Sequence, residues 1–254
     1  MSGYTDILQS SPQSIFSVVT GAANQQHAVG SILRFGGRAF RYAAMYDTTV
    51  IGPNKLAQMA VPLANHVSET GALTGTPTVG ATRITAVLGA TAAFASQYKD
   101  GYLKIESATT GAGQIFKLKD HAAVASAGTL TADIYDPVVT ATSGTTTWSL
   151  VSEAWSNVVI HPTTATSAAA GVTLANWPAA TSTAPNFGWL QTWGMASCLI
   201  DTSNIVAGSR VIYGAVAGTV GLGIETDVKH PIGVAVEALS TDNAYGTIFL
   251  TIAP

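Results

Sequence analysis

Asp133 and Asp136 flank Tyr135 just ahead of Pro137, and Glu225 stands two residues from Asp227. Paired carboxylates of this kind can do acid–base work or hold Ca²⁺. A turn before a proline and a charged loop near Lys229 account for the same residues without chemistry, and that reading is preferred. The five histidines, His27, His66, His121, His161 and His230, are scattered. None forms the close pair a metal site uses, so no metal is expected. Cys198 lies in the apolar run Ala196-Ser197-Cys198-Leu199-Ile200 and reads as a small buried side chain. There is no phosphate-cradling Gly-x-x-x-x-Gly-Lys loop and no Gly-x-Ser-x-Gly elbow. Gly218, Gly221 and Gly223 imitate part of a dinucleotide fingerprint, but they open no helix. No nucleophile, base and orienting group assemble. The chain is not expected to be an enzyme, and no cofactor is expected.

Two clusters have chemistry suited to binding. Arg34, Arg38 and Arg41 place three of the five arginines within one short segment. They can grip an acidic or polar surface through bidentate contacts, or form a solvated hairpin face. Trp189, Gln191 and Trp193 alternate and share a face if their segment is a regular strand. Two indoles beside an amide can stack on sugars, anchor an interface or pack a core; packing, within or between subunits, is preferred.

The elements that position these residues read as β. Ile32-Leu33-Arg34-Phe35, Gly36-Gly37 and Arg38-Ala39-Phe40-Arg41-Tyr42 predict a hairpin, with the glycines supplying positive φ in the turn. A short helix is expected over 54–60, ended by Pro62, and a helix or turn over 90–98. Between them the stretch 71–80 is a Thr/Gly/Pro linker. Strands then follow over 82–88, 102–107, 114–119, 130–134, 146–151 and 158–160. Leu103, Ile105, Phe116 and Leu118 alternate with charged neighbours. Further strands are expected over 171–175, 187–193, 210–216, 232–239 and 245–252. Gly171-Val172 and Gly233-Val234 each precede a loop and an aromatic-Gly strand, a weak internal echo. The expected fold is all-β: small barrel or sandwich modules joined by Thr/Gly/Pro-rich linkers, with little helix. The expected organisation is an N-terminal arm (1–28), a hairpin segment (29–69) packing with the C-terminal domain, an inserted central module (70–162) and a C-terminal β domain (163–254).

Composition narrows the function classes. Of the 254 residues, 47% are apolar and only 10% charged, against ~25% charged in a typical domain. That excludes intrinsic disorder, which needs the opposite balance. The net charge of −3 argues against a nucleic-acid coat. No apolar run reaches the ~18 residues of a bilayer span. The first residues show no secretory leader, and a single cysteine fits a chain made in a reducing cytosol. So little charge on a soluble chain suggests a surface partly covered by other subunits.

Several motifs, in order, carry a resemblance. Gly36-Gly37-Arg38-Ala39-Phe40-Arg41-Tyr42-Ala43, Tyr98-Lys99-Asp100-Gly101-Tyr102-Leu103, Gly111-Ala112-Gly113-Gln114-Ile115-Phe116, Phe187-Gly188-Trp189-Leu190-Gln191-Thr192-Trp193-Gly194, Ile232-Gly233-Val234-Ala235 and Tyr245-Gly246-Thr247-Ile248-Phe249-Leu250 are similar to motifs of tailed-phage virion proteins of the head-decoration, or capsid-cement, type. The resemblance implies a structural role on the capsid exterior after synthesis in the host cytoplasm. The implied partners are the major capsid protein and further copies of the chain, with a homotrimer expected. No direct nucleic-acid or membrane contact is implied. Arg34, Arg38, Arg41, Trp189, Gln191 and Trp193 are the expected capsid or subunit interface, and the arm would order against the shell. Two other classes remain open. A tail or fibre component would bind host glycans on exposed Trp177, Trp189 and Trp193. A hydrolytic virion enzyme would need Asp133, Asp136 or Glu153.

Overall fold

The computed structural model describes residues 25–70, 73, 77–143, 146–181, 185–201, 204–224, 229–239 and 241–254. The fold is all-β: no helix occurs among the described residues, and every named strand pairing is antiparallel. The chain divides into two compact units, 1–60 with 154–254, and 61–153. The sequence places the inserted module at 70–162. The expected arm lies largely outside the described residues, as does much of the 71–80 linker.

The first unit opens with β1 (Ile32–Phe35), β2 (Arg38–Met45) and β3 (Leu56–Gln58). Gly36 and Gly37 have φ of 56° and 76°, the left-handed values that let two residues turn this hairpin. The helix expected over 54–60 is not formed. Asn54 takes a left-handed φ of 59° in a turn, and β3 follows directly. Leu56, Ala57 and Gln58 are all buried, so β3 lacks the alternation that marks a strand in sequence.

The second unit holds β4 (Glu69–Thr70), β5 (Arg83–Val87), β6 (Tyr102–Ser107), β7 (Ile115–Asp120), β8 (Thr129–Ile134) and β9 (Thr147–Val151). Their order is β4-β9-β6-β7-β8-β5. Leu73, just after β4, bridges to Ala86 of β5, so the two ends of the sheet approach and the sheet curls into a half-barrel. The inward side chains, among them Ile84, Leu103, Ile105, Leu118, Leu130 and Trp148, form one buried cluster. Residues 90–98 make turns and one bridge, Ala93 to Val124, rather than a helix.

The chain then returns to the first unit with β10 (Val159–Ile160), β11 (Ala169–Thr173), β12 (Asn186–Leu199), β13 (Arg210–Tyr213), β14 (Val220–Leu222), β15 (Gly233–Ala235) and β16 (Tyr245–Thr251). The glycine run at 218–223 therefore feeds a strand. β12 is the spine. Its first half pairs with β2 on one edge; on the other edge it pairs with β11 and then β16. The path β12-β16-β15-β13-β14 closes where Ile200 bridges Val220. Inside that closure lie Ala196, Cys198, Val211, Ile232, Ile248 and Leu250. Both halves of the internal echo are consecutive antiparallel pairs, β11 with β12 and β15 with β16.

Candidate functional site

One interruption in β12 governs what this region presents. Gln191 pairs with Phe40, but Trp193 pairs with Ala39, so Thr192 is an extra residue on the β12 side. Partners across a ladder point to one face, and neighbours along a strand point to opposite faces. Gln191 therefore lies with Phe40, and Trp193 lies with Ala39 on the other face. The expectation that Trp189, Gln191 and Trp193 share a face does not hold, because the bulge shifts the alternation by one residue. Burial agrees. Trp189 is buried with Phe40, Tyr42 and Phe187, and His27 caps that cluster with its ring 5.4 Å from Trp189 and 5.2 Å from Tyr42. Gln191 is buried, and its amide donates to the carbonyls of Trp193 and Met195. Beyond the bulge the buried set is Gly194, Ala196 and Cys198, and the outward set is Trp193, Met195 and Ser197.

The arginine trio is also divided. Arg34 pairs with Ala39 and Ile32 with Arg41, which puts Arg34 and Arg41 on one face; Arg38 pairs with Phe35 on the other. Arg34 is exposed. Arg41 is folded down, its guanidinium 4.5 Å from the Trp155 ring centre and its Nη1 donating to Gly30 O at 3.2 Å. Arg38 lies over Phe40 at 5.4 Å. Trp177 is packed against Gly188, and both Trp177 and Trp189 are under 5% exposed (2% and 4%), so neither is a stacking platform for a sugar.

What the bulge brings outward is a largely apolar face. Met195 of β12 pairs with Phe249 of β16, which pairs with Val234 of β15. Met195 and Val234 are 45% and 41% exposed, and Tyr245 further along β16 is 58% exposed. The Trp193 ring meets Phe249 edge-on, with centroids 5.7 Å apart. Ser197, Thr247 and Thr251 complete the face without adding charge. Arg210 continues the row opposite Val234, and Glu237 stands beside it, each engaged on backbone: Arg210 donates to Ile224 O, and Glu237 accepts from Thr247 N. The Thr247 hydrogen bonds hold the Glu237 carboxyl below its usual range. Sequence reading missed Met195, Val234 and Phe249, because only the strand register makes them neighbours.

The acidic candidates sit apart. Asp133 pairs with Arg83 at 2.8 Å on the surface, and Asp136 is exposed. Glu153 is buried. The Glu225 and Asp227 pair lies outside the described residues. Among the described residues no three His, Cys, Asp or Glu side chains gather as metal ligands. Burial pushes the Cys198 thiol up to about 12, which leaves it protonated and unreactive at neutral pH.

In the second unit three residues that the sequence scatters do meet. His66, Tyr98 and His121 are all buried, and their hydrogen bonds form one chain. Three separate segments supply them, so no spacing signals the cluster. No protein family model, no curated protein and no solved structure matches this chain.

Proposed function

We propose that this chain is a virion structural protein that decorates and stabilises an icosahedral phage capsid. It binds the assembled lattice of major capsid protein from outside, as an oligomer, with a trimer the preferred state. The observation that carries this reading is the outward Met195–Phe249–Val234 row. A face of this kind gains by losing water, at ~25 cal/mol per Å² of apolar area. Its one cross-strand cation, Arg210 beside Val234, donates to Ile224 O, so Met195, Phe249 and Val234 can be covered without desolvating an ion pair among them. Two small curled sheets suit a part copied many times, and the 10% charge content suits close packing of copies. A protein that binds the assembled shell and not the dispersed subunits stabilises the shell by mass action.

Two measurements test it together. Quantitative mass spectrometry of purified particles gives the copy number relative to the major shell protein, and a number of the same order is expected. A handful of copies, or none, overturns lattice-wide decoration. The Met195→Glu, Val234→Glu double substitution puts charge on the exposed row without touching a core. It should leave the thermal transition in place and lower particle occupancy at least tenfold. Unchanged occupancy would remove this face from the contact.

A further inference from the structure

We propose that His66, Tyr98 and His121 form an acid-released latch in the second unit, whose opening frees the Tyr98 backbone N–H within the turn over 95–101. The inference stands apart from the capsid reading and uses only contacts within the 61–153 unit.

The hydrogen bonds dictate where the protons sit. His66 Nε2 lies 2.9 Å from Thr91 O, and a carbonyl only accepts, so Nε2 carries the hydrogen. Nδ1 is then bare and accepts from the Tyr98 hydroxyl at 2.5 Å. On the other side of Tyr98, its backbone N–H donates to His121 Nε2 at 3.0 Å, so that nitrogen is bare. His121 Nδ1 carries the hydrogen and donates it to Ala122 O at 2.7 Å. His121 holds one tautomer, and every ring nitrogen of the two histidines is used.

The two histidines face different partners. His66 Nδ1 meets the Tyr98 hydroxyl, which can donate or accept. A proton on His121 Nε2 faces a backbone N–H, which can only donate, so protonation breaks that bond. The ionisable groups facing His121 are three. Asp120, whose carboxylate accepts the His121 backbone N–H at 2.8 Å, favours the charged ring, and His66 opposes it. Tyr98 is itself held neutral, because burial raises its hydroxyl well above the usual value. Burial is the largest influence on His121 and sets its pKa below the ordinary histidine value, so the folded state prefers the neutral ring. The unfolded chain then binds more protons below about pH 6.5. The latch is fully closed above that pH, and its contribution is lost as pH falls toward the folded pKa of His121.

The turn around Tyr98 is also held by backbone hydrogen bonds, among them Lys99 N to Ser96 O and Gly101 N to Tyr98 O, so release of the latch acts first on the Tyr98 amide. Ser96 and Asp100 both adopt left-handed φ, 61° and 59°, which costs energy in residues other than glycine. Ser96 N donates to His121 O and Asp100 N to Leu118 O, both at 3.0 Å. The Asp100 carboxylate accepts from the Tyr135 hydroxyl at 2.8 Å. The Tyr135 ring in turn faces the Lys117 and Lys119 ammonium groups, each 5.7 Å from its centre. The Tyr98 N–H thus lies two residues from Asp100, which joins this turn to a cationic, aromatic part of the surface.

Residue-resolved amide hydrogen exchange of the full chain between about pH 7.5 and 4.5, corrected for the intrinsic rate, tests the latch. Protection at the Tyr98 amide should be constant above about pH 6.5, then fall by up to about tenfold per pH unit until His121 titrates in the folded chain. His121→Gln offers a side-chain oxygen that accepts the same N–H and does not titrate. It should keep the protection and abolish its pH dependence, while His66→Gln should leave the dependence in place. An unaltered pH response in His121→Gln overturns the proposal. If that variant does not fold, ¹⁵N shifts of the wild-type ring decide. Nε2 protonation with the Tyr98 amide still protected overturns the latch; protonation and loss of protection at one pH supports it.

Discussion

Gly188 lies on β12 where the ring of Trp177 crosses the strand. A Cβ there would stand 2.7 Å from Trp177 Cζ2 and 3.0 Å from Cε2. The indole cannot back away freely, because Trp177 and Ile51 exchange both backbone hydrogen bonds, at 2.8 and 3.0 Å. Gly188→Ala should therefore overpack this core, at a cost of about 1–3 kcal/mol. A lower urea midpoint with an unchanged slope is the expected measurement. An unchanged midpoint would mean that Trp177 has room to shift. A glycine between an aromatic residue and Trp189 thus has a packing cause that needs no ligand.

At the level of elements, the Thr192 bulge decides which half of β12 faces inward. Before it, Phe187 and Trp189 point to the cluster of Phe40 and Tyr42; after it, Ala196 and Cys198 point into the closed barrel. Deleting Thr192 would leave Gln191 opposite Phe40 and Trp193 opposite Ala39, so the pairing becomes regular and both halves keep their faces. The deletion removes the carbonyl that accepts from Ile252 N and Ala253 N, so the variant should fold with a lower urea midpoint. Thr192→Val, which keeps that carbonyl, should lower it less. A deletion variant that does not fold would show that the sheet needs the bend of the bulge as well as the pairing. This is also where the sequence stops being legible. The hairpin was readable because Gly36-Gly37 demands a turn, and β6 to β8 were readable because Leu103, Ile105, Phe116 and Leu118 alternate with charged residues. β3 was not, because burial on both faces erases alternation. The bulge leaves no local mark, since it exists only relative to β2. Without the bulge, Trp189 and Trp193 look like one site, and Met195, Phe249 and Val234 look unrelated.

For the whole molecule, the question is whether the two units are separable. Each has its own buried cluster. The second is one continuous segment, 61–153, inserted in the first. Its two ends are tied together, since Leu150 N donates to His66 O at 2.8 Å. The flanking chain of the first unit is likewise paired, Gln58 with Val159 and Ala57 with Ile160. These pairings explain why the unit ends at Glu153: β10 belongs to the sheet of β3, a partner about 100 residues earlier, which no local pattern reveals. Residues 61–153 produced alone should then fold, since their length is within the range of independent domains. The expected result is a single cooperative thermal transition and a dispersed amide spectrum. Replacing 61–153 by a short Gly/Ser link should leave the first unit folded, because changing the length of a loop whose ends are already held costs only about 0.6 kcal/mol per doubling. An unfolded 61–153 fragment would show that its barrel needs the rest of the chain. In that case acid opening of the His121 latch would lower the stability of both units together, and a single pH-dependent transition would replace two.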